Sequence, residues 1–222
     1  MPSAREINRR IKSVTNTQQI TKAMKMVSSV RLRRAQDRAV ATAPYTEKME
    51  GMLQRLSAAS PDAGNALFTP HDTVKKTCYI IIGSDKCIRD RFSHAQQIAH
   101  LATQKFLAGE VDEVYVIYTH FKSALSQDTR IVKMLPITQK EGQQEGGPRE
   151  EYLFAPDPKL VLDALLPQYL DLFIYNSLLQ SAASELGARM TAMTSATDNA
   201  GELIDKLTVT YLSLIHISEP TR

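Results

Sequence analysis

The chain has 222 residues, of which 43% are hydrophobic and 23% charged, and its net charge is +3. This composition is typical of a globular protein with a sizeable core, and it excludes collagen-like and bulk-disordered chains. No apolar run is long enough for a membrane span or a secretory signal, so we expect a cytosolic protein. The two cysteines, Cys78 and Cys87, lack the spacing of a zinc site or of a disulfide framework.

Positive charge is concentrated near the N-terminus. Residues 1–38 contain ten basic and two acidic side chains, a net charge of +8, so the other 184 residues carry −5. This asymmetry implies a negatively charged partner for the basic segment alone. Taken by itself, the arginine cluster at 31–34 is compatible with a solvated helix face, a nucleic-acid contact or an anionic membrane contact.

The first predicted element is one long amphipathic helix from about residue 4 to about residue 55. Its apolar residues recur at steps of three and four, with one step of six, and they are Ile7, Ile11, Val14, Ile20, Met24 and Val27. We predict a kink or break at Pro44, because proline removes a helical hydrogen bond. A helix of roughly 75 Å needs a partner helix along much of its length.

A linker at 57–73 leads into a stretch that predicts a small α/β domain over residues 74–166. The predicted elements are strands at 78–82, 114–118 and 131–137, with a helix containing Ile98, Leu101 and Phe106 between the first two. The order strand, helix, strand favours parallel pairing, so we expect a parallel-type sheet.

The C-terminal part is predicted to be helical. Asp157 and Pro158 indicate a helix start, and the helical pattern is sustained from about Pro167. Steps of three and four define a seam of nine residues, namely Leu179, Ala182, Leu186, Met190, Met193, Thr197, Ala200, Ile204 and Leu207. We therefore predict an α/β fold class in which residues 1–57 and 167–211 form a long antiparallel two-helix coiled coil and residues 74–166 form the small central domain.

Two sequence blocks carry a resemblance to a known family. Residues 11–27 (IKSVTNTQQITKAMKMV) with 31–36 (RLRRAQ) resemble the N-terminal signature of the γ subunits of F-type ATP synthases. Residues 184–193 (SELGARMTAM) with 196–200 (ATDNA) resemble the C-terminal helix of that family, and the segment YLFAPDP at 152–158 lies between the two blocks. The resemblance extends over about residues 3–211.

The resemblance implies a non-catalytic central rotor shaft. Such a subunit stands inside a hexamer of α and β subunits, its α/β domain lies near the membrane c-ring and the ε subunit, and it couples proton or sodium flow to ATP synthesis. It implies no cofactor, no metal, no nucleic acid and no homo-oligomer. It places the protein peripherally at the cytoplasmic face of a bacterial cell membrane.

The resemblance also implies a set of partner contacts. Basic residues of the first helix would meet an acidic loop of the β subunits beside an apolar bearing residue, Met24. Glu185 and Arg189 match family positions that contact β. Tyr152 matches a position facing the ring, and Ala155 stands where family members often have a carboxylate. The full set is Lys22, Met24, Lys25, Arg31, Arg33, Arg34, Tyr152, Glu185 and Arg189.

Two other functions remain open on the residues themselves. The basic N-terminal segment would suit a coiled-coil protein that binds nucleic acid. The turn at 83–86 (GSDK) after a strand would suit a nucleotide-dependent enzyme, although the chain has neither GxGxxG nor GxxxxGK[ST]. The second signature near residue 190 is required only by the rotor interpretation.

Two stretches depart from the family pattern. Residues 212–222 resemble translated sequencing-adapter DNA, and residues 87–91 (CIRDR) resemble the opposite strand of the same adapter. We therefore predict that both stretches are foreign to the protein. On this interpretation a few residues after Lys86 are lost, and about 25 to 30 final family positions, with the shaft tip, are absent.

Overall fold

The computed structural model describes residues 3–59, 67–69, 74–83, 92–137 and 157–218. The elements in chain order are α1 (Ala4–Ala59), β1 (Thr77–Ile81), α2 (Phe92–Leu107), β2 (Glu113–Phe121), β3 (Gln127–Leu135) and α3 (Pro158–Ser218). The chain divides into two compact units. The helical unit contains Met1–Arg34, Ser123–Ser126 and Glu185–Arg222, and the α/β unit contains Ala35–Lys122 and Gln127–Ser184.

Both long helices pass through a proline without ending. Pro44 lies inside α1 and Pro167 lies inside α3, and each helix is assigned as one element across it. The sequence predicted a kink or a break at Pro44, and the predicted break is therefore wrong. Proline removes a single hydrogen bond from the ladder, and the helix-favouring residues on both sides of Pro44 sustain the remaining bonds.

The buried stripe of α1 in the helical unit follows a strict heptad. Its buried or half-buried residues are Ile7, Ile11, Val14, Gln18, Thr21, Lys25, Ser28 and Leu32. Ile20, Met24 and Val27, which the sequence predicted on this stripe, are 60%, 44% and 53% exposed, so that part of the prediction is wrong. When the seven-residue repeat is continued from Val14, its next positions are polar residues. The apolar residues of the following turns therefore lie away from the seam.

The predicted seam of α3 is confirmed. All nine of its residues are buried or half-buried, and those from Leu186 to Leu207 belong to the helical unit. Thr21 of α1 pairs with Thr197 through their hydroxyls, whereas Gln18 approaches both the Thr197 carbonyl and Gly201. Because α1 numbers fall as α3 numbers rise, the two helices are antiparallel in this unit.

The sheet of the α/β unit is mixed, with the strand order β1-β2-β3. β1 and β2 are parallel, as predicted, with Tyr79 opposite Tyr115. β2 and β3 are antiparallel, with Ile117 opposite Ile131, so the predicted parallel-type sheet is a mixed one. The short connection over 122–126 explains the difference, because a parallel crossover needs a dozen or more residues.

One face of the sheet carries the core of the α/β unit. Val114 and Val116 are fully buried there, together with the α2 residues Ala95, Ala99, Ala102 and Phe106. Both long helices supply further large core residues, which include Met49, Leu53, Leu162, Leu166 and Leu170. Leu101, which the sequence analysis took as a marker of this helix, is exposed. Counting back from Phe106 in steps of three and four gives alanines, so the buried face of α2 does not include Leu101.

Helix α3 hydrogen-bonds the part of β2 that extends beyond β1. The Thr119 N–H donates to Ser181 Oγ at 3.1 Å, and Ser184 Oγ donates to the Thr119 carbonyl at 3.1 Å. The Phe121 N–H donates to Gln180 Oε1 at 3.1 Å. Side chains of a helix therefore satisfy backbone groups that a neighbouring strand would otherwise pair.

Candidate partner-binding surface

An apolar strip lies on the outer side of α1, away from the coiled-coil seam. It consists of four exposed residues at helical spacing, namely Ile20, Met24, Val27 and Val30. Contiguous exposed apolar side chains on a helix indicate a surface that another molecule covers. We call these four residues the outer strip.

Basic residues accompany the outer strip. Lys22, Arg31, Arg33 and Arg34 are all exposed on α1 of the helical unit. At 3.6 residues per turn Arg31 and Arg34 lie on the side of the outer strip, whereas Lys22 and Arg33 lie on the other side of the helix. Arg31 and Arg34 give the outer strip a positive potential that would attract an acidic partner. The outer strip and these cations together suit a protein partner with apolar and acidic groups.

Lys25 occupies a different position from the other predicted contact residues. It is half-buried on the α1 heptad, where a hydrophobic residue would be usual. A surface groove is lined there by Gln18, Gln19, Lys22, Lys25, Met26, Thr197 and Asp198. Two lysines against one aspartate leave the groove positive, so it suits an acidic side chain from outside.

Polar residues meet across the coiled coil beside this groove. The hydroxyl oxygens of Thr21 and Thr197 lie 2.8 Å apart, and Gln18 Nε2 donates to the Thr197 carbonyl at 3.4 Å. A Cβ at Gly201 would lie 3.1 Å from Gln18 Nε2. Gln18 therefore belongs to a polar layer between the helices.

Glu185 and Arg189 form an ion pair with each other, one helical turn apart on α3. Both side chains are partly buried. A partner that contacts either residue therefore meets a charge that is already compensated. Tyr152 and Ala155 lie outside the described residues.

The connection between β2 and β3 belongs to the helical unit and was not selected from the sequence. Thr191 Oγ1 on α3 donates to the Ala124 carbonyl at 2.9 Å, and Ser123 and Ser126 close the turn through backbone hydrogen bonds. Leu125 at its tip is 83% exposed. No sequence motif identifies this contact, because it joins residues that are 67 positions apart.

Shifted pKa values occur in the α/β unit, and each has a local cause. Lys133 donates to the Glu113 carboxylate at 2.7 Å and lowers the pKa of Glu113. A hydrogen bond from Lys122 lowers the pKa of Asp128, and burial lowers the pKa of His120. Burial raises the pKa of Tyr169 to about 12, with repulsion from Glu50 as a second cause. These shifts reflect ion pairing and packing within the fold.

The antiparallel coiled coil and its exposed outer strip are typical of the class of helical shaft proteins. None of the described helices has an apolar stretch that would cross a membrane. The ATP synthase family model matches residues 3–88 and 87–214, and together these two matches include most of the chain. The chain belongs to the ATP synthase gamma chain family.

The relatives are bacterial gamma chains. The ATP synthase gamma chain of Heliobacterium modesticaldum is 37% identical over 268 aligned positions, which cover 95% of this chain and 92% of that relative. The gamma chain of Chlorobaculum parvum is 34% identical over 269 positions, with the same two coverages.

Solved structures share the fold. The central stalk and c-ring structure of Tetrahymena thermophila mitochondrial ATP synthase contains a chain with 22% identity and a TM-score of 0.58, and the match covers 80% of this chain and 99% of that one. The rotor of the Euglena gracilis enzyme contains a chain with 16% identity and a TM-score of 0.58, and the match covers 95% and 96%.

The alignments also reveal a large internal gap in this chain. Because 95% of 222 residues is about 211, about 57 of the 268 positions aligned with the Heliobacterium chain have no counterpart here. The two stretches matched by the family model overlap at residues 87–88, which places the gap in the chain between β1 and α2. The sequence prediction that only a few residues are lost after Lys86 is therefore wrong in size.

Proposed function

We propose that this chain is the central rotor shaft of an F-type ATP synthase, a non-catalytic subunit that couples ion flow through a membrane ring to ATP synthesis. The observation that carries the proposal is the outer strip with its flanking cations, on an antiparallel coiled coil of the gamma chain family. Its partners are the α and β subunits, the ε subunit and the c-ring. The related structures belong, by their titles, to a central stalk with its c-ring and to a rotor.

The proposed mechanism is a change of contacts as the shaft turns inside the hexamer. A shaft alters the nucleotide affinity of a catalytic subunit only if it binds the conformations of that subunit with different free energies. The outer strip lies on one side of α1, while the other side packs in the seam. Rotation therefore presents an apolar and basic surface to each catalytic subunit in turn.

The proposed contacts with the hexamer differ in kind. Met24 of the outer strip makes an apolar contact, while Lys22, Arg31, Arg33 and Arg34 attract acidic groups of the β subunits. Lys25 acts through the groove, and Glu185 and Arg189 contact β as a paired unit. Tyr152 is proposed to face the ring. The assembled protein lies peripherally at the cytoplasmic face of a bacterial membrane and is driven by protons or sodium ions.

Reconstitution with isolated α and β subunits tests this function. We expect a repaired form of the chain, in which the missing internal and final positions are restored from the Heliobacterium modesticaldum gamma chain, to co-elute with the α and β subunits of that organism in size-exclusion chromatography as one copy per three α and three β subunits, and to increase ATPase turnover. If the chain elutes separately and ATPase turnover is unchanged, the proposed function is wrong.

Two triple charge-reversal variants show whether the proposed surface is responsible for binding to the α and β subunits. Changing Arg31, Arg33 and Arg34 together to Glu is expected to weaken co-elution at low salt, and to reduce or reverse the loss of binding that added salt causes in the parent chain. The matched control changes three exposed lysines of the α/β unit to Glu, namely Lys75, Lys76 and Lys159. Equal losses in both triple variants would show that net charge, and not this surface, determines binding.

A further inference from the structure

The groove beside the polar layer of the coiled coil has the size of a small-molecule site. Its volume is about 540 Å³, and small-molecule sites in proteins take roughly 300 to 1,000 Å³. Gln18, Lys22, Lys25 and Met26 line it from α1, and Asp198 lines it from α3. All of these residues belong to the helical unit, so the groove lies within one compact part of the chain.

The two lysines of the groove lie on one face of α1. Lys22 follows Gln18 by four residues and Lys25 follows Lys22 by three, so the three side chains leave the helix on the same side in successive turns. Lys22 is exposed, whereas Lys25 is half-buried. Two ammonium groups in successive turns suit the oxygens of a phosphate or diphosphate group, because charge-assisted hydrogen bonds to an anion are the strong ones.

The charged groups of the groove are not paired with each other. Asp198 lines the same groove as Lys22 and Lys25, yet none of these side chains forms an ion pair within the residues that the structure describes. The cations and the carboxylate are therefore separate binding groups. A ligand that satisfies both carries oxyanions for the lysines and hydroxyl donors for the carboxylate.

Hydrogen bonds between the helices hold the two sides of the groove in place. The hydroxyls of Thr21 and Thr197 lie 2.8 Å apart, and Gln18 Nε2 donates to the Thr197 carbonyl at 3.4 Å. Because these bonds join α1 to α3 beside Asp198, the binding groups are arranged before a ligand arrives, which lowers the entropic cost of binding. Met26 is 64% exposed and adds an adaptable apolar surface at the same place.

We propose that this groove binds a nucleoside diphosphate. The diphosphate lies against Lys22 and Lys25, the ribose hydroxyls donate to the Asp198 carboxylate, and the base packs on Met26. A carboxylate that accepts hydrogen bonds from ribose hydroxyls is a recurrent element of nucleotide sites. The binding itself does not depend on the rotor function. One consequence rests on the proposed function, namely that a bound nucleotide occupies Lys25 and removes this contact from the β subunits.

Binding of ADP to the isolated 222-residue chain tests the proposal in the absence of α and β subunits. We expect saturable binding in isothermal titration calorimetry, and Lys22→Gln together with Lys25→Gln should weaken it by about tenfold or more. The matched control combines Lys12→Gln with Lys206→Gln, since both lysines are exposed on the helical unit outside the groove. An absence of saturable binding, or equal losses in the two double variants, would overturn the proposal.

Asp198→Ala distinguishes a nucleotide site from a general attraction of anions to the basic helix. The change removes the acceptor for the ribose and also removes a negative charge beside the lysines. We expect ADP to bind about threefold more weakly or worse, which corresponds to one lost hydrogen bond. Pyrophosphate has no ribose and should bind at least as well as before. Unchanged or tighter binding of ADP to this variant would contradict the proposal, because simple charge attraction predicts that result.

Discussion

The hydroxyl groups of Thr21 and Thr197 meet across the coiled coil at 2.8 Å. Each hydroxyl also lies within hydrogen-bond distance of a carbonyl of its own helix, Thr21 of Gln18 and Thr197 of Met193. Because a hydroxyl has one proton, one threonine donates across the interface and the other donates to its own helix. A polar pair in a coiled-coil seam sets the register of the two helices, since a slipped register would leave both groups buried without a partner across the interface.

Removing either hydroxyl of this pair is expected to cost about 1 kcal/mol of unfolding free energy. Thr21→Val and Thr197→Val each remove the hydroxyl–hydroxyl bond between the helices, and the remaining hydroxyl donates to its own helix. The double variant loses the same bond, so it should also cost about 1 kcal/mol. Urea titration followed by circular dichroism measures these values. Thr15→Val, which removes a bond within α1 alone, is the control. A double variant whose loss equals the sum of the two single losses would contradict the shared bond.

Gly201→Ala is expected to stabilise the chain by about 0.5 kcal/mol. Replacing glycine by alanine inside a helix gains about 1 kcal/mol, and the new Cβ meets only the flexible end of Gln18 at 3.1 Å. Gly51→Ala in α1 meets nothing within 4 Å and should gain the full amount. Thermal unfolding of both variants compares the two gains. A lower stability of Gly201→Ala than of the parent chain would show that Gln18 is held rigidly.

Removing the hydroxyl of either α3 serine that bonds to β2 is expected to destabilise the folded chain. Ser181→Ala leaves the Thr119 N–H without its acceptor, and Ser184→Ala leaves the Thr119 carbonyl without this donor. Each change should lower the unfolding free energy by about 1 to 3 kcal/mol, the cost of an unsatisfied buried polar group. Ser177→Ala is the control, because Ser177 is also buried but bonds to Phe173 of its own helix. If Ser177→Ala lowered the unfolding free energy as much as Ser181→Ala and Ser184→Ala do, the bonds to Thr119 would not explain the loss.

The pair of Glu113 and Lys133 is expected to make the stability of the chain depend on pH in the acid range. The hydrogen bond from Lys133 lowers the pKa of Glu113 from its ordinary 4.5 in the folded chain. The folded state therefore binds this proton less readily than the unfolded state, and the stabilisation is present above pH 4.5 and is lost as the pH falls through the folded pKa. Glu113→Gln should flatten this part of the stability profile in urea titrations at a series of pH values. Identical slopes in the two chains would contradict the role of the pair.

Sequence patterns predict the elements of this fold better than its buried faces. The α3 seam is regular and its steps are unambiguous, so all nine residues are identified. The α1 stripe is misassigned after Val14, because hydrophobic character alone favours Ile20 and Met24 over Gln18 and Thr21 for the interface. Polar residues are buried there because they bond to each other across the helices, and periodicity of single residues contains no such information.

Long-range contacts account for the other differences between sequence and structure. The antiparallel pairing of β3 follows from the short connection over 122–126, which the sequence analysis did not weigh against the strand order. The contacts of Ser181 and Ser184 with Thr119 join residues about 60 positions apart. Ile20, Met24 and Val27 of the outer strip lie in the family signature at 11–27, whereas their exposure required the structure.

Direct observation of rotation is the most direct test of the shaft function. A probe is attached through Leu125→Cys at the exposed connection between β2 and β3, and the chain is assembled with α and β subunits that are fixed to a surface. We predict that added ATP turns the probe in one direction in discrete steps, and that Arg31, Arg33 and Arg34 changed together to Glu impair this motion. ATP hydrolysis by an assembled complex whose probe stays still would contradict the proposal that this chain is a rotor.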